Sequence, residues 1–275
     1  MPRSTADSSA RSLLLTVLGE FVHVRDGEAW TSSLLAALAA LGVEPKSARQ
    51  AVARTSSEGL LLSQRHGRRV RWELTPSGRA ILEEGTQRIY GFMRGARAWD
   101  GRWLVLSIAV PESQRQLRHR LRTRLTWLGL GSPSPGLWVV PDASKEAEVR
   151  AAIDELDLWG RTYAWVGATV DTVETARLLA DAWNLEAVEA RYTEFIDTYS
   201  SIDPTTSAEA FVAQVHLIQD WRRFPFDDPD LPAELLDHDW PGPRAAAVFH
   251  HRRDRWHRLA QAEWDRLEAE SGQRS

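Results

Sequence analysis

The sequence contains no cysteine in 275 residues. The chain therefore has no disulfides, no catalytic thiolate, no iron–sulfur cluster and no cysteine-ligated zinc. Its longest apolar runs, such as residues 13–18 and 34–41, are far shorter than the roughly 20 residues needed to cross a bilayer. The first residues are small, polar and charged, unlike an export signal. We therefore expect a cytoplasmic protein.

The composition is that of a folded protein with substantial apolar cores. Hydrophobic residues make up 43% of the chain and charged residues 26%, and there are 13 tryptophans. At roughly 150 residues per domain, the length indicates two domains or three small ones. The formal net charge of −4 excludes a polycation that coats nucleic acid by bulk charge, although it allows a local basic surface.

Charge is distributed unevenly along the chain. Residues 44–71 hold seven basic and two acidic side chains, and residues 94–125 hold eight basic and two acidic ones. Residues 203–240, in contrast, hold nine acidic and two basic side chains. This asymmetry indicates a polyanion as the partner of the amino-terminal part.

Helical spacing and end signals define the first segment. They predict three helices, a hairpin of two strands and a fourth helix, in this order: 10–24, 31–42, 45–59, 60–65 with 68–74, and 75–92. Three short helices followed by a basic hairpin are the plan of a winged helix-turn-helix, whose third helix enters the major groove of DNA while the hairpin lies along the backbone. We expect this DNA-binding domain to span residues 1–92.

The remainder of the chain predicts two further domains, and the fold class as a whole is α+β. Strands and helices alternate over 102–110, 117–128, 137–140, 144–156 and 161–166, with a turn-rich link at 129–136. This order indicates a ferredoxin-like α/β sandwich as the middle domain, 93–171. From residue 172 the pattern is helical, over 172–199, 207–223 and 243–270. We expect a helical effector and dimerisation domain over 172–275.

The third helix and the hairpin hold the candidate DNA-binding residues. With Ala48, Ala51, Val52 and Thr55 facing inward, the exposed helix face presents Lys46, Ser47, Arg49, Gln50 and Arg54. Arginine suits guanine, glutamine suits adenine, and lysine or serine reaches phosphate. The hairpin adds Arg65, His66, Arg68, Arg69 and Arg71. A solvated helix face is the alternative for the helix alone, but so many like charges together favour a polyanion partner.

Six segments together resemble the PaaX family of transcriptional repressors. They are ARSLLLTVLGEFV (10–22), SARQAVARTSSEGLL (47–61), HGRRVRWELTPSGRAILEEG (66–85), WDGRWLVLSIAVPE (99–112), LRHRLRTRLTWLGLGSPSPGLWVVP (117–141) and WRRFPFDDPDLPAELLDHDWPG (221–242). The resemblance implies a homodimer on a palindromic operator of aromatic-acid catabolism genes. It also implies release from double-stranded DNA by an acyl-CoA effector such as phenylacetyl-CoA. Gln50 and Ala53 depart from the family's reading face.

Several residues outside the first segment keep more than one interpretation. Arg222, Arg223 and Trp240 are candidates for the effector site, because guanidinium groups suit CoA phosphates and rings suit an acyl tail. Alternatively, the two arginines pair with Asp227, Asp228 and Asp230 while the neighbouring aromatics fill a core. The arginines of 115–124 have three interpretations: they form a solvated helix face, they make a second contact with DNA phosphates, or they bind the phosphates of CoA.

Enzyme motifs are missing from the sequence. It has no dinucleotide fingerprint, no Walker lysine and no nucleophile elbow. The histidines at 238, 250, 251 and 257 have no metal-site spacing, so we expect neither a metal nor another cofactor. We expect no enzyme. The alternatives are an acyl-CoA-binding enzyme and a protein-interaction adaptor with a basic docking head.

Overall fold

The computed structural model describes residues 9–93 and 98–273, which form an α+β structure. The helices are α1 (Ala10–Val17), α2 (Thr31–Ala40), α3 (Pro45–Ser57), α4 (Pro76–Gly91), α5 (Arg115–Trp127), α6 (Glu146–Asp154), α7 (Thr172–Ala182), α8 (Leu185–Ser200), α9 (Ser207–Trp221), α10 (Phe224–Asp227) and α11 (Gly242–Gln273). The strands are β1 (Glu28–Trp30), β2 (Leu61–His66), β3 (Arg69–Leu74), β4 (Trp103–Ile108), β5 (Gly131–Ser134), β6 (Leu137–Val140) and β7 (Thr162–Gly167).

The chain divides into two compact units, each built from separate stretches of sequence. The first unit takes the described residues up to Phe92, residues 194–223 and those from Arg244 onward. The second unit takes the described residues of 93–193 together with 224–243. The predicted ranges 1–92, 93–171 and 172–275 divide the chain differently, because the helices of 172–275 are shared between both units.

The first unit begins with the helices and hairpin that the sequence predicts. A π-helical turn, Leu18–Val22, continues α1, so the predicted helix is confirmed over 10–22 and ends two residues before the predicted 24. In α3, Pro45 occupies the first turn, where its missing N–H costs nothing, and the four residues predicted to face inward are all buried. The sheet has the order β1-β3-β2 and is antiparallel. Strand β1 was not predicted, because three residues are too few to show a periodicity.

The carboxyl-terminal helices complete the core of this first unit. Phe21, which follows α1, contacts the ring of Phe211 in α9 at a centroid distance of 4.8 Å and that of Trp264 in α11 at 6.0 Å. The Trp221 ring stacks on Phe249 at 4.7 Å, and its Nε1 donates a hydrogen bond to the carbonyl oxygen of Ile89 at 3.0 Å. The helical turn after α1 and helix α4 therefore pack against α9 and α11 in the first unit.

The second unit contains an antiparallel sheet of four strands in the order β5-β6-β4-β7. Along the chain its elements run β4-α5-β5-β6-α6-β7. Leu106 and Trp138 on one sheet face pack with Leu121 and Leu125 of α5 and Ile153 of α6. This core explains why the leucine stripe of α5 repeats at helical spacing.

Two details of the second unit differ from the sequence prediction. The stretch predicted as a turn-rich link contains β5, whose pairing with β6 is irregular between Gly131 and Ser134. An edge strand tolerates the Pro133 that it contains, since one side needs no hydrogen-bond donor. The helical stretch predicted over 172–199 is two helices, because Trp183 adopts an extended conformation and stacks on Trp103 at 6.3 Å.

Candidate nucleic-acid interface

The outer face of α3 is polar, cationic and exposed. All five side chains predicted to face DNA, at positions 46, 47, 49, 50 and 54, are exposed to solvent. Within the described part of the chain, no carboxylate pairs with Lys46 or Arg49. The helix therefore presents guanidinium, ammonium, amide and hydroxyl donors to one side while its alanines and valine hold the other side in the core.

Glu58 partly neutralises the end of this face. Its carboxylate accepts a hydrogen bond from Nε of Arg54 at 3.1 Å and from Nε of Arg11 at 3.0 Å. The bonds from Arg11, together with those from Arg54, hold the pKa of Glu58 below its ordinary value although burial opposes this. Glu58 is thus ionised and competes with an external anion for Arg54.

The tip of the hairpin adds a second cationic element next to α3, since β2 contacts that helix. Arg65, His66 and Arg68 are exposed around Gly67, which takes a φ of 64° in the turn. Arg65 and Arg68 have no carboxylate partner among residues 9–93 and 98–273. These three side chains are therefore accessible to a polyanion.

Two of the five hairpin residues predicted to bind DNA form polar contacts within the protein. Nη1 of Arg69 donates hydrogen bonds to the carbonyl oxygens of Ser271 at 2.9 Å and Gly272 at 2.6 Å. Nε of Arg71 lies 3.0 Å from a carboxylate oxygen of Glu28 in β1. The prediction treated all five cations alike, because their internal partners lie far away in sequence or in a strand that was not foreseen.

Trp30 organises these contacts at the end of α11. The guanidinium carbon of Arg69 lies 4.4 Å from the centroid of the Trp30 ring, and the His66 ring contacts it edge-on at 5.5 Å. The backbone N–H of Trp30 donates to a carboxylate oxygen of Glu268 at 3.2 Å. A cation at the carboxyl terminus of a helix is favourable, since the last carbonyls carry partial negative charge. The hairpin is thereby joined to α11.

The three effector candidates fall in different units. Arg222 and Arg223 belong to the first unit and Trp240 to the second. Nη1 of Arg222 donates weakly to Oγ of Ser12 at 3.3 Å and Oγ1 of Thr16 at 3.5 Å. Burial lowers the pKa of Arg222. Arg223 is exposed.

For residues 221–230, the alternative interpretation was that the arginines pair with the neighbouring acidic residues while the aromatics fill a core. This interpretation holds in part. Trp221 and Phe224 are buried, as that alternative requires. The acidic residues have other partners, however: Asp227 pairs with Arg191, and Asp228 accepts a hydrogen bond from the hydroxyl of Tyr192 at 2.6 Å. Trp240 packs edge-on against the same Tyr192 ring at 6.0 Å.

The arginines of α5 form an exposed face with mixed partners. Nη2 of Arg124 donates to Glu155 at 2.9 Å, and Nη2 of Arg118 donates to the carbonyl oxygen of Glu112 at 3.0 Å. Arg115 and Arg120 line a shallow cavity with Gln116. These contacts leave the three interpretations of the face open.

Two kinds of site are absent from the part of the chain that the structure describes. It holds no group of three or more histidine, aspartate or glutamate residues arranged to bind a metal ion. None of its helices is both long and apolar enough to span a membrane.

Comparison with known proteins identifies the family. The model of the PaaX-like protein family matches residues 9–78, that of the PaaX protein central Cas2-like domain matches 96–179, and that of the PaaX-like protein C-terminal domain matches 183–266. The chain is 30% identical over 246 residues to the transcriptional repressor PaaX of Escherichia coli (strain K12), covering 85% of this chain and 76% of that protein. The chain belongs to the PaaX family.

A solved structure shares the fold of this PaaX-family chain. It is the uncharacterized protein Rv0674 from Mycobacterium tuberculosis, with a TM-score of 0.64 and 23% sequence identity. The likeness covers 94% of this chain and 99% of that one. It extends over both compact units of the PaaX-family chain.

Sequence reasoning missed two acidic residues that shape this region. Glu58 follows Arg54 by four residues, a spacing at which helical side chains meet, so it was detectable. Glu20 is buried and accepts hydrogen bonds from Arg253 at 2.8 Å and Gln214 at 3.1 Å. These partners lie more than 190 positions away in the PaaX-family sequence, so no local pattern reveals them.

Proposed function

We propose that this chain is a DNA-binding transcriptional repressor whose head is a winged helix-turn-helix. The order α1-β1-α2-α3-β2-β3 supports this, as does the relative described as a transcriptional repressor. Helix α3 enters the major groove, and the tip of the β2–β3 hairpin lies along the adjacent backbone. The single observation that carries the proposal is the exposed cationic face of α3, which Glu58 neutralises in part at Arg54 and which adjoins the exposed hairpin tip with Arg65, His66 and Arg68.

The residues divide between base and phosphate contacts. Arg49, Gln50 and Arg54 read base edges, since arginine and glutamine form paired hydrogen bonds with guanine and adenine. The phosphate contacts, which give salt-dependent affinity, come from Lys46, Ser47, Arg65, His66 and Arg68. Arg69 and Arg71 stabilise the hairpin through their contacts within the protein. The chain acts by binding and not by catalysis.

The proposed repressor is a homodimer on a palindromic operator, and strand β7 is its interface. This strand ends the ferredoxin-like sheet, and within the described residues only β4 pairs with it. Tyr163 is 77% exposed and Trp165 48% exposed, which is unusual for large rings. The free edge of a strand offers unpaired N–H and C=O groups. Two copies of β7 related by a twofold axis can pair antiparallel.

The proposed effector is an acyl-CoA such as phenylacetyl-CoA, which releases the repressor from aromatic-acid catabolism genes in the cytoplasm. The family resemblance implies this effector. Arg222 and Arg223 supply the guanidinium groups that phosphates favour. Trp240 belongs to the second unit, and Trp240→Ala tests this candidate by itself.

The test is a genomic DNA pull-down with the purified protein, followed by binding measurements on the recovered operator. Reversing both charges with Arg49→Glu and Arg54→Glu lowers operator affinity by at least about tenfold, since two attractions become repulsions. The matched control reverses two exposed helical arginines of the second unit, Arg150 and Arg177. Unchanged affinity in the α3 variant would contradict the proposal. Release of the complex by phenylacetyl-CoA tests the effector separately.

A further inference from the structure

A cavity of about 170 Å³ that is open to solvent lies in the first unit, between α1, α4 and the end of α9, and Ile81 in its wall is 51% exposed. Most of its wall is aliphatic, from Leu15, Ile81, Leu82, Ile89 and Ile218. A cavity of about 150 Å³ with such a lining is large enough to hold benzene. The cavity therefore accommodates an apolar body of about that size.

Arg222 lies at the wall of this cavity. Its guanidinium is half-buried, and among the described residues its hydrogen-bond partners are the hydroxyl oxygens of Ser12 and Thr16, at 3.3 and 3.5 Å. Both hydroxyls are also engaged by Gln219, at 3.0 and 2.8 Å. A guanidinium has five N–H donors, so Arg222 keeps donors for another partner.

The carboxylate that also lines the cavity does not neutralise Arg222. Glu20 is already held by Arg253 and Gln214 at 2.8 and 3.1 Å and by the hydroxyl of Tyr90. Within residues 9–93 and 98–273, no carboxylate forms an ion pair with Arg222. A partly buried cation without a counter-ion favours an external anion, and a bidentate carboxylate fits the guanidinium fork best.

We propose that this cavity binds a small organic carboxylate with an apolar body about the size of a benzene ring. The carboxylate pairs with Arg222, and the apolar body fills the space between α1 and α4. This site goes beyond the proposed function, because the cavity is too small for the CoA portion of a thioester. A carboxylate bound here and the phosphates of the proposed acyl-CoA effector therefore compete for Arg222. Since α1 packs on α3, a ligand here contacts the helix that supports the DNA-reading helix.

Isothermal titration of the full-length protein without DNA tests the site. Benzoate is the probe; benzamide keeps its shape without the charge, and acetate keeps the charge without the ring. We expect benzoate to bind with a Kd of about 1 mM or tighter. We expect benzamide and acetate to bind at least about tenfold more weakly, because each lacks one half of the recognition. Equal binding of benzoate and benzamide, or no binding of benzoate, would overturn the inference.

Three variants locate the bound benzoate. Arg222→Gln should weaken binding at least about tenfold, whereas Arg258→Gln, at an exposed arginine of α11 outside the cavity lining, should leave it unchanged. Gly85 lines the cavity, and a Cβ there would meet no atom within 4 Å. Gly85→Leu should therefore fill the cavity and abolish binding while Arg222 stays in place. Wild-type binding by the Arg222→Gln or Gly85→Leu variant would place the benzoate elsewhere and refute the site.

Operator binding by the same proteins separates this inference from the proposed function. A protein that binds its operator but not benzoate refutes the carboxylate site alone. A protein that binds benzoate through Arg222 but no specific DNA refutes the repressor proposal alone. Circular dichroism and thermal unfolding verify that each variant is folded before either result is scored.

Discussion

Arg65 and Arg68 flank the glycine at the hairpin tip and have no carboxylate partner among the described residues. Each of them should contribute one phosphate contact. Replacing either with alanine should weaken binding to all DNA sequences alike and reduce the slope of log affinity against log salt by about 0.9. Fluorescence anisotropy over a range of salt concentrations measures both effects. A loss confined to the operator would instead assign the residue to base reading.

Glu58 should lower the affinity for DNA, because its ionised carboxylate pairs with Arg54 at 3.1 Å and competes with the DNA for this side chain. Glu58→Gln keeps the shape and removes the charge. We expect the variant to bind operator and random DNA more tightly, with a steeper salt dependence. Glu155→Gln, which removes an exposed carboxylate paired with Arg124 in the second unit, is the control. Weaker binding by Glu58→Gln would show that Glu58 positions Arg54 for contact.

At the scale of elements, the hairpin and α11 should be energetically coupled through Arg69. Arg69→Ala removes two hydrogen bonds to the last carbonyls of α11 and the contact with Trp30. We expect it to lower the free energy of unfolding by about 1–2 kcal/mol. Arg68→Ala, one residue earlier and exposed, should leave that free energy unchanged. Urea unfolding followed by tryptophan fluorescence compares the two, and equal stabilities would contradict the coupling.

Elements with a regular period were predictable, and elements defined by distant contacts were not. The inward face of α3 followed from alanine and valine at helical spacing. Strand β1 was not predicted because three residues show no period. Strand β5 was not predicted because its glycine, proline and serine resemble a turn. The exposure of the α3 side chains at positions 46, 47, 49, 50 and 54 was likewise predicted from the sequence. The hydrogen bonds of Arg69 within the protein were not predictable, since its partners lie 202 and 203 positions later in the sequence.

At the scale of the whole molecule, the proposed dimer depends on the exposed edge of β7. Tyr163→Lys combined with Trp165→Lys should yield monomers, because charges on both copies of a paired strand repel. Size-exclusion chromatography with light scattering gives the mass directly. Val24→Lys changes a comparably exposed apolar residue of the first unit, 58% exposed, and should leave the mass unchanged. A double variant with the wild-type mass would place the interface elsewhere.

The first unit is assembled from three segments that lie far apart in the sequence, and this sets an order of events during synthesis. Phe21 leaves the ribosome early, whereas Trp264, which packs against it at 6.0 Å, is translated more than 240 residues later. The amino-terminal helices therefore keep part of their apolar surface uncovered until α11 has been translated. A prematurely terminated product lacks α11 and cannot compete with the finished protein through a fully formed head.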